Sequence, residues 1–101
     1  MVKLIALYEQ PENEEEFNEH YFNVHTPITN EIPGLKKMEV TKITGSPQGA
    51  SDYYLMCEMY YESQEDLQNG MKSDKGKASG KDLMSFAGNL VTLMIGEELN
   101  E

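Results

Sequence analysis

The stretch Asp52-Tyr53-Tyr54-Leu55-Met56-Cys57-Glu58-Met59-Tyr60-Tyr61 decides the fold. Side chains of a strand point alternately to its two faces, so Tyr53, Leu55, Cys57, Met59 and Tyr61 share one face and Tyr54, Met56 and Tyr60 the other. Only Glu58 interrupts the second set. An antiparallel sheet with one face in water alternates apolar and polar residues more cleanly, so this strand is expected in a sheet covered on both sides.

Before it, Leu35 to Thr44 alternates Met38 and Val40 with Lys37, Glu39 and Thr41, and pairs with Asp52–Tyr61 as an antiparallel hairpin across the loop Gly45–Ser51. Val2 to Tyr8 and Leu90 to Ile95 add two further strands. Asn13, with Glu16 three residues later, forms a capping box for a helix running toward Val24, whose buried stripe is Phe17, Tyr21, Val24 and Ile28. Pro27 disfavours helical geometry at Thr26, so the helix is expected to end or kink there before a short turn reaches Pro33-Gly34. Ser63 and Asp66 cap a second helix containing Leu67 and Met71. Its continuation, Lys72 to Lys81, contains Gly76 and Gly80 and is expected to be broken or mobile, ahead of another helical turn at Leu83–Ala87.

The order is strand, helix, strand, strand, helix, strand, with no internal repeat. It specifies an α+β, ferredoxin-like βαββαβ arrangement: a four-stranded antiparallel sheet with helices on one face, in one domain spanning residues 1–101. A second copy of the same sheet is the economical cover for the other face, so a homodimer is expected, with Tyr54, Met56 and Tyr60 at its interface.

Composition narrows the function. Against 18 acidic residues stand 8 basic ones, all lysine, for a formal net charge of -10. Such a chain repels nucleic acid and anionic lipid and lacks the guanidinium fork suited to phosphates, which favours a neutral or phenolic, largely apolar small molecule. No apolar run approaches the roughly 20 residues of a membrane span, and Met1–Tyr8 is too short for a secretory signal, so a cytoplasmic protein is expected. Cys57 is the one cysteine; mid-strand between Leu55 and Met59, it is expected to be a small buried hydrophobe.

The motif-bearing segment is His20-Tyr21-Phe22-Asn23-Val24-His25-Thr26-Pro27, which holds both histidines. Five residues apart, they lie about 140° around a regular helix, unlike an i,i+4 metal pair, so no metal site is expected. His20 lies near the apolar stripe and is the candidate structural histidine. His25 stands at the expected helix break and is the candidate general acid or base, with Tyr21 or Tyr8 orienting a substrate oxygen. Leu4, Ala6 and Tyr8 from the first strand and Leu55 and Cys57 from the third are the candidate pocket lining. Gly76-Lys77-Ala78-Ser79-Gly80-Lys81-Asp82 superficially imitates a phosphate loop. It has one residue too few between its glycines, Asp82 in place of the hydroxyl residue, and no preceding strand, which rejects nucleotide binding.

Tyr8 with Pro11, Phe17, His20-Tyr21, His25-Thr26-Pro27, Ile32-Pro33-Gly34-Leu35, the Tyr53–Tyr61 strand and Val91-Thr92-Leu93 together resemble the EthD family over nearly the whole chain. The resemblance implies a dimeric α+β barrel and an association with bacterial catabolism of ethyl tert-butyl ether, with a lean toward an oxidoreductase. Proteins of similar fold include cofactor-independent monooxygenases, isomerases and cyclases; no cofactor is expected here. A noncatalytic carrier or accessory protein for a catabolic intermediate is the alternative.

Overall fold

A computed structural model describes residues 1–99. Strand β1 (Val2–Glu9) is followed by a helical segment made of α1 (Glu14–His20), a π-helical turn (Tyr21–His25) and α2 (Thr26–Thr29). Then come β2 (Lys37–Lys42), β3 (Tyr53–Tyr61), α3 (Gln64–Lys72), α4 (Asp74–Ala87) and β4 (Val91–Glu97). The four strands form one antiparallel sheet in the order β2-β3-β1-β4, the ferredoxin-like α+β fold expected from the element order.

Both helix starts are capped as their sequences require. The Asn13 side chain accepts from the Glu16 N–H at 3.0 Å, and the Ser63 hydroxyl oxygen accepts from the Asp66 N–H at 3.1 Å. The turn after Ile32-Pro33 needs Gly34, whose φ of 87° lies in the left-handed region that side chains disfavour. On the helix-covered face, Val2, Ala6 and Tyr8 from β1 and Leu55, Cys57, Met59 and Tyr61 from β3 form one buried cluster with Phe17, Tyr21, Leu67, Leu83 and Ala87.

Of the two outcomes expected from Pro27, an end or a kink, the helix does not end at Thr26; it widens just before it. The Thr26 N–H reaches back five residues to the Tyr21 carbonyl, and Pro27 then falls in the first turn of α2, where its missing N–H is not needed. That leaves the Phe22 carbonyl without a backbone donor, and the Thr26 hydroxyl donates to it at 3.1 Å. The extra residue also rotates the inner stripe. Phe17 and Tyr21 are buried as expected, but His25 and Thr29 take the inward positions assigned to Val24 and Ile28; Val24 is 41% exposed. His25 is therefore in the buried stripe at 6% exposure, while the expected core histidine, His20, is half-exposed.

Two other expectations are corrected. The chain breaks between the late helices only at Ser73, whose extended backbone lets its hydroxyl oxygen accept from the Gly76 N–H at 3.0 Å; α4 then runs unbroken through Gly76, Gly80 and Lys81. Tyr54 does not lie on the uncovered face of the sheet. A register shift opposite Tyr8 and Glu9 turns it toward α1, where its ring meets Phe17 edge-on at 5.6 Å and its hydroxyl donates to Asn18 Oδ1 at 2.8 Å. Tyr60 stays on the far face but is buried beneath Lys3 and Lys37, whose ammonium groups lie 5.1 and 4.5 Å from its ring centroid.

Candidate functional site

The π turn does more than redirect a stripe. Its wider winding brings residues five apart back to nearly the same side, so His20 and His25 converge, contrary to the roughly 140° separation of a regular helix. Between them stands Asp82 of α4. His20 Nε2 lies 2.9 and 3.1 Å from its two carboxylate oxygens, and His25 Nδ1 lies 3.0 Å from Oδ2. One carboxylate thus ties both histidines to the helix packed across from them.

Burial holds the His25 imidazole below its ordinary pKa of 6.5, outweighing the hydrogen bond and negative charge of Asp82, which pull it upward; His20 adds to the lowering. His25 is consequently uncharged near neutral pH, with Nδ1–H donating to Asp82 and Nε2 left as an acceptor. Nε2 lies 3.4 Å from the Thr29 hydroxyl, too long for a strong bond. Thr29 donates instead to the His25 carbonyl at 3.0 Å and pairs with the Ser79 hydroxyl at 2.7 Å, a second tie between α2 and α4.

His25 opens onto a cavity of about 320 Å³ between helices and sheet. Of the residues singled out from the sequence, Leu4, Ala6, Tyr8, Tyr21, His25 and Cys57 line it. Leu55 does not: it is buried in the core beside Tyr8 but lies outside the lining. Met38, Met59, Tyr61 and Leu83 extend the apolar wall, and Thr29, Ser79 and Gly80 were not recognised from the sequence. Burial raises the Tyr8 and Tyr21 hydroxyls well above the usual tyrosine range, so both remain protonated donors. Burial likewise pushes the Cys57 thiol up to about 11, which makes it a poor source of thiolate. A larger and more open depression, bordered by Glu9, Glu12, Glu16 and Glu19, touches His20.

Asp82 too was missed in reading the sequence. A signal was present: Asp82 adjoins Leu83 and precedes Phe86 and Ala87 on the inward side of an amphipathic helix, and a carboxylate there requires a partner. Nothing local names that partner, because His20 and His25 lie 62 and 57 residues away along the chain.

The EthD domain model matches residues 9–89, a span that contains His20, His25 and Asp82. The chain belongs to the EthD family. It is 67% identical to an ethyl tert-butyl ether d (EthD) family protein from Bacillus halodurans C-125, whose crystal structure it matches with a TM-score of 0.96 over 98% of this chain and 99% of that one. It is also 28% identical to an uncharacterized 11.0 kDa protein of Rhodococcus erythropolis, over 97% of this chain and 95% of that protein. A dimeric ferredoxin-like protein of unknown function from Thermobifida fusca shares the fold at 12% identity, with a TM-score of 0.72 over 96% of this chain and 90% of that one.

The buried imidazole has a consequence for stability in this EthD chain. Its folded pKa is depressed, so the unfolded chain binds a proton more readily, and the stability linked to His25 is fully present above pH 6.5 and is lost as pH falls toward the lowered folded value. Urea unfolding compared between about pH 7.5 and 5.5 should show a larger fall in midpoint for the native chain than for His25→Gln. An equal fall in both would mean that burial does not hold His25 uncharged.

Proposed function

We propose that this EthD protein binds a small, largely apolar molecule in the cavity and acts on it by proton transfer, with His25 as general base and Asp82 as the residue that positions it. The observation that supports this most is a buried, uncharged imidazole that lines an apolar cavity while a carboxylate engages its Nδ1. His25 Nε2 accepts the proton, Asp82 stabilises the resulting imidazolium, and the protonated hydroxyls of Tyr21 and Tyr8 are available to a developing oxyanion. Proton removal is the step that isomerisation and cofactor-independent oxidation share.

The compact bicyclic ketone 2-tetralone, which has acidic C–H bonds beside its carbonyl, is a suitable probe. In heavy water the protein should accelerate deuterium exchange at those positions, and His25→Gln should lose that acceleration by about 10²-fold or more while still binding the ketone. Binding without accelerated exchange in the native chain would instead identify a carrier.

The assembly proposed with this function is a homodimer joined through the far face of the sheet. Ile5, Leu7 and Met56 are partly exposed there and Met94 is exposed, beside the Lys3–Glu58 ion pair. The Thermobifida fusca structure is described as dimeric. Light scattering at micromolar concentration should give twice the chain mass, and Leu7→Lys, which places an unpaired charge in that interface, should shift the protein toward monomer. A monomeric native chain would contradict the assembly.

A further inference from the structure

Charges around the cavity are sorted. None of the residues lining it is acidic, in a chain with 18 acidic residues against 8 basic ones, yet Lys77 and Lys81 both line it. The open depression near His20 is the reverse, bordered by four glutamates and no lysine. Lys77 and Lys81 are one helical turn apart and exposed on α4, and among the described residues neither makes an ion pair. Between them is Gly80, where an added Cβ would meet no atom within 4 Å. Lys77 and Lys81 therefore flank an open stretch of helix beside an apolar space.

We propose that the cavity takes an amphipathic anion: a small organic acid whose apolar, ring-sized body rests against Leu4, Ala6 and Met59 and whose carboxylate is held at the rim by Lys77 and Lys81. This assignment rests on the cavity being the ligand site. The net charge of -10 points to a neutral ligand, but salt screens distant charges over about 8 Å, and the two lysines at the rim outnumber the one carboxylate, Asp82, that stands behind His25. An exposed rim also lets the carboxylate stay partly hydrated, avoiding the desolvation cost that a buried ion pair carries. A volume of about 320 Å³, at the small end of the usual range for ligand pockets, limits the apolar body to one or two rings.

The test is a titration of the full chain with 1-naphthoate and 1-naphthol, which share a bicyclic body and differ in charge near neutral pH. At low ionic strength naphthoate should bind about tenfold more tightly, and Lys77→Gln combined with Lys81→Gln should abolish that advantage while leaving naphthol affinity unchanged. Added salt should act in the same direction as the double substitution. Equal affinity for the two probes, or naphthoate binding that is indifferent to the double substitution, overturns the anion assignment and leaves an apolar site. If neither probe binds the native chain, the cavity is not a ligand site, and both this assignment and the proposed function fail.

Discussion

Asp82→Asn is expected to lower His25-dependent deuterium exchange of 2-tetralone by about 10²-fold or more, with binding of the ketone little changed. The carboxylate oxygen 3.0 Å from His25 Nδ1 can only accept, so it keeps the proton on Nδ1 and leaves Nε2 free to act as a base. An asparagine amide can turn its NH₂ toward Nδ1 and favour the opposite tautomer, in which Nε2 already carries the proton. It also removes the negative charge that stabilises the imidazolium. Because Asp82 and His25 act as a unit, the double substitution should cost little more than either alone. His20→Gln should have a much smaller effect, since that ring is half-exposed and does not line the cavity. Rates and affinities measured for these variants check the assignment; full exchange activity in Asp82→Asn would remove Asp82 from it.

Gly76→Ala is expected to destabilise the fold by about 3 kcal/mol or more, whereas Gly80→Ala, four residues along the same helix, should be neutral or stabilise it by up to about 1 kcal/mol. At Gly76 an added Cβ would run into the Gly70 carbonyl oxygen and come within 2.8 Å of the Met71 carbonyl oxygen, and both are backbone atoms of α3 that cannot turn aside. Gly80 faces open space, so alanine there gains helix propensity without a clash. For a domain of this size, a loss of 3 kcal/mol corresponds to a melting temperature lower by roughly 12 °C or more. Equal melting temperatures for the two variants would mean that the close approach of α3 and α4 does not require a glycine.

The glycines show where sequence patterns stop being informative. Two glycines among lysines look like a weak helix, because composition cannot distinguish a glycine that loosens a helix from one that lets two segments touch. The fold itself was legible, since the apolar residues of Tyr53–Tyr61 and the caps at Asn13 and Ser63 act through local periodicity and hydrogen bonding. Only the part of the cavity lining that comes from β1 and β3 follows from strand parity: Leu4, Ala6, Tyr8 and Cys57 share a face. Leu55 shares it too, but lies outside the cavity, and parity alone does not tell how far along a strand a cavity extends. Two irregularities, each a single residue, were hidden. The π turn moved His25 inward in place of Val24, and the register shift beside Tyr8 turned Tyr54 toward α1. Neither carries a compositional mark beyond Thr26-Pro27, because both are settled by packing against α4 and the sheet.

The tautomer of His25 tests the central claim most directly. Long-range ¹H–¹⁵N spectra of the native chain near neutral pH, assigned by comparison with His20→Gln and His25→Gln, report which ring nitrogen carries the proton. His25 should be a neutral ring with the proton on Nδ1, and its bare Nε2 resonance should move when 1-naphthol is added, while Asp82→Asn should redistribute the proton toward Nε2. A positively charged His25, or a proton already on Nε2 in the native chain, would contradict a base held ready by Asp82.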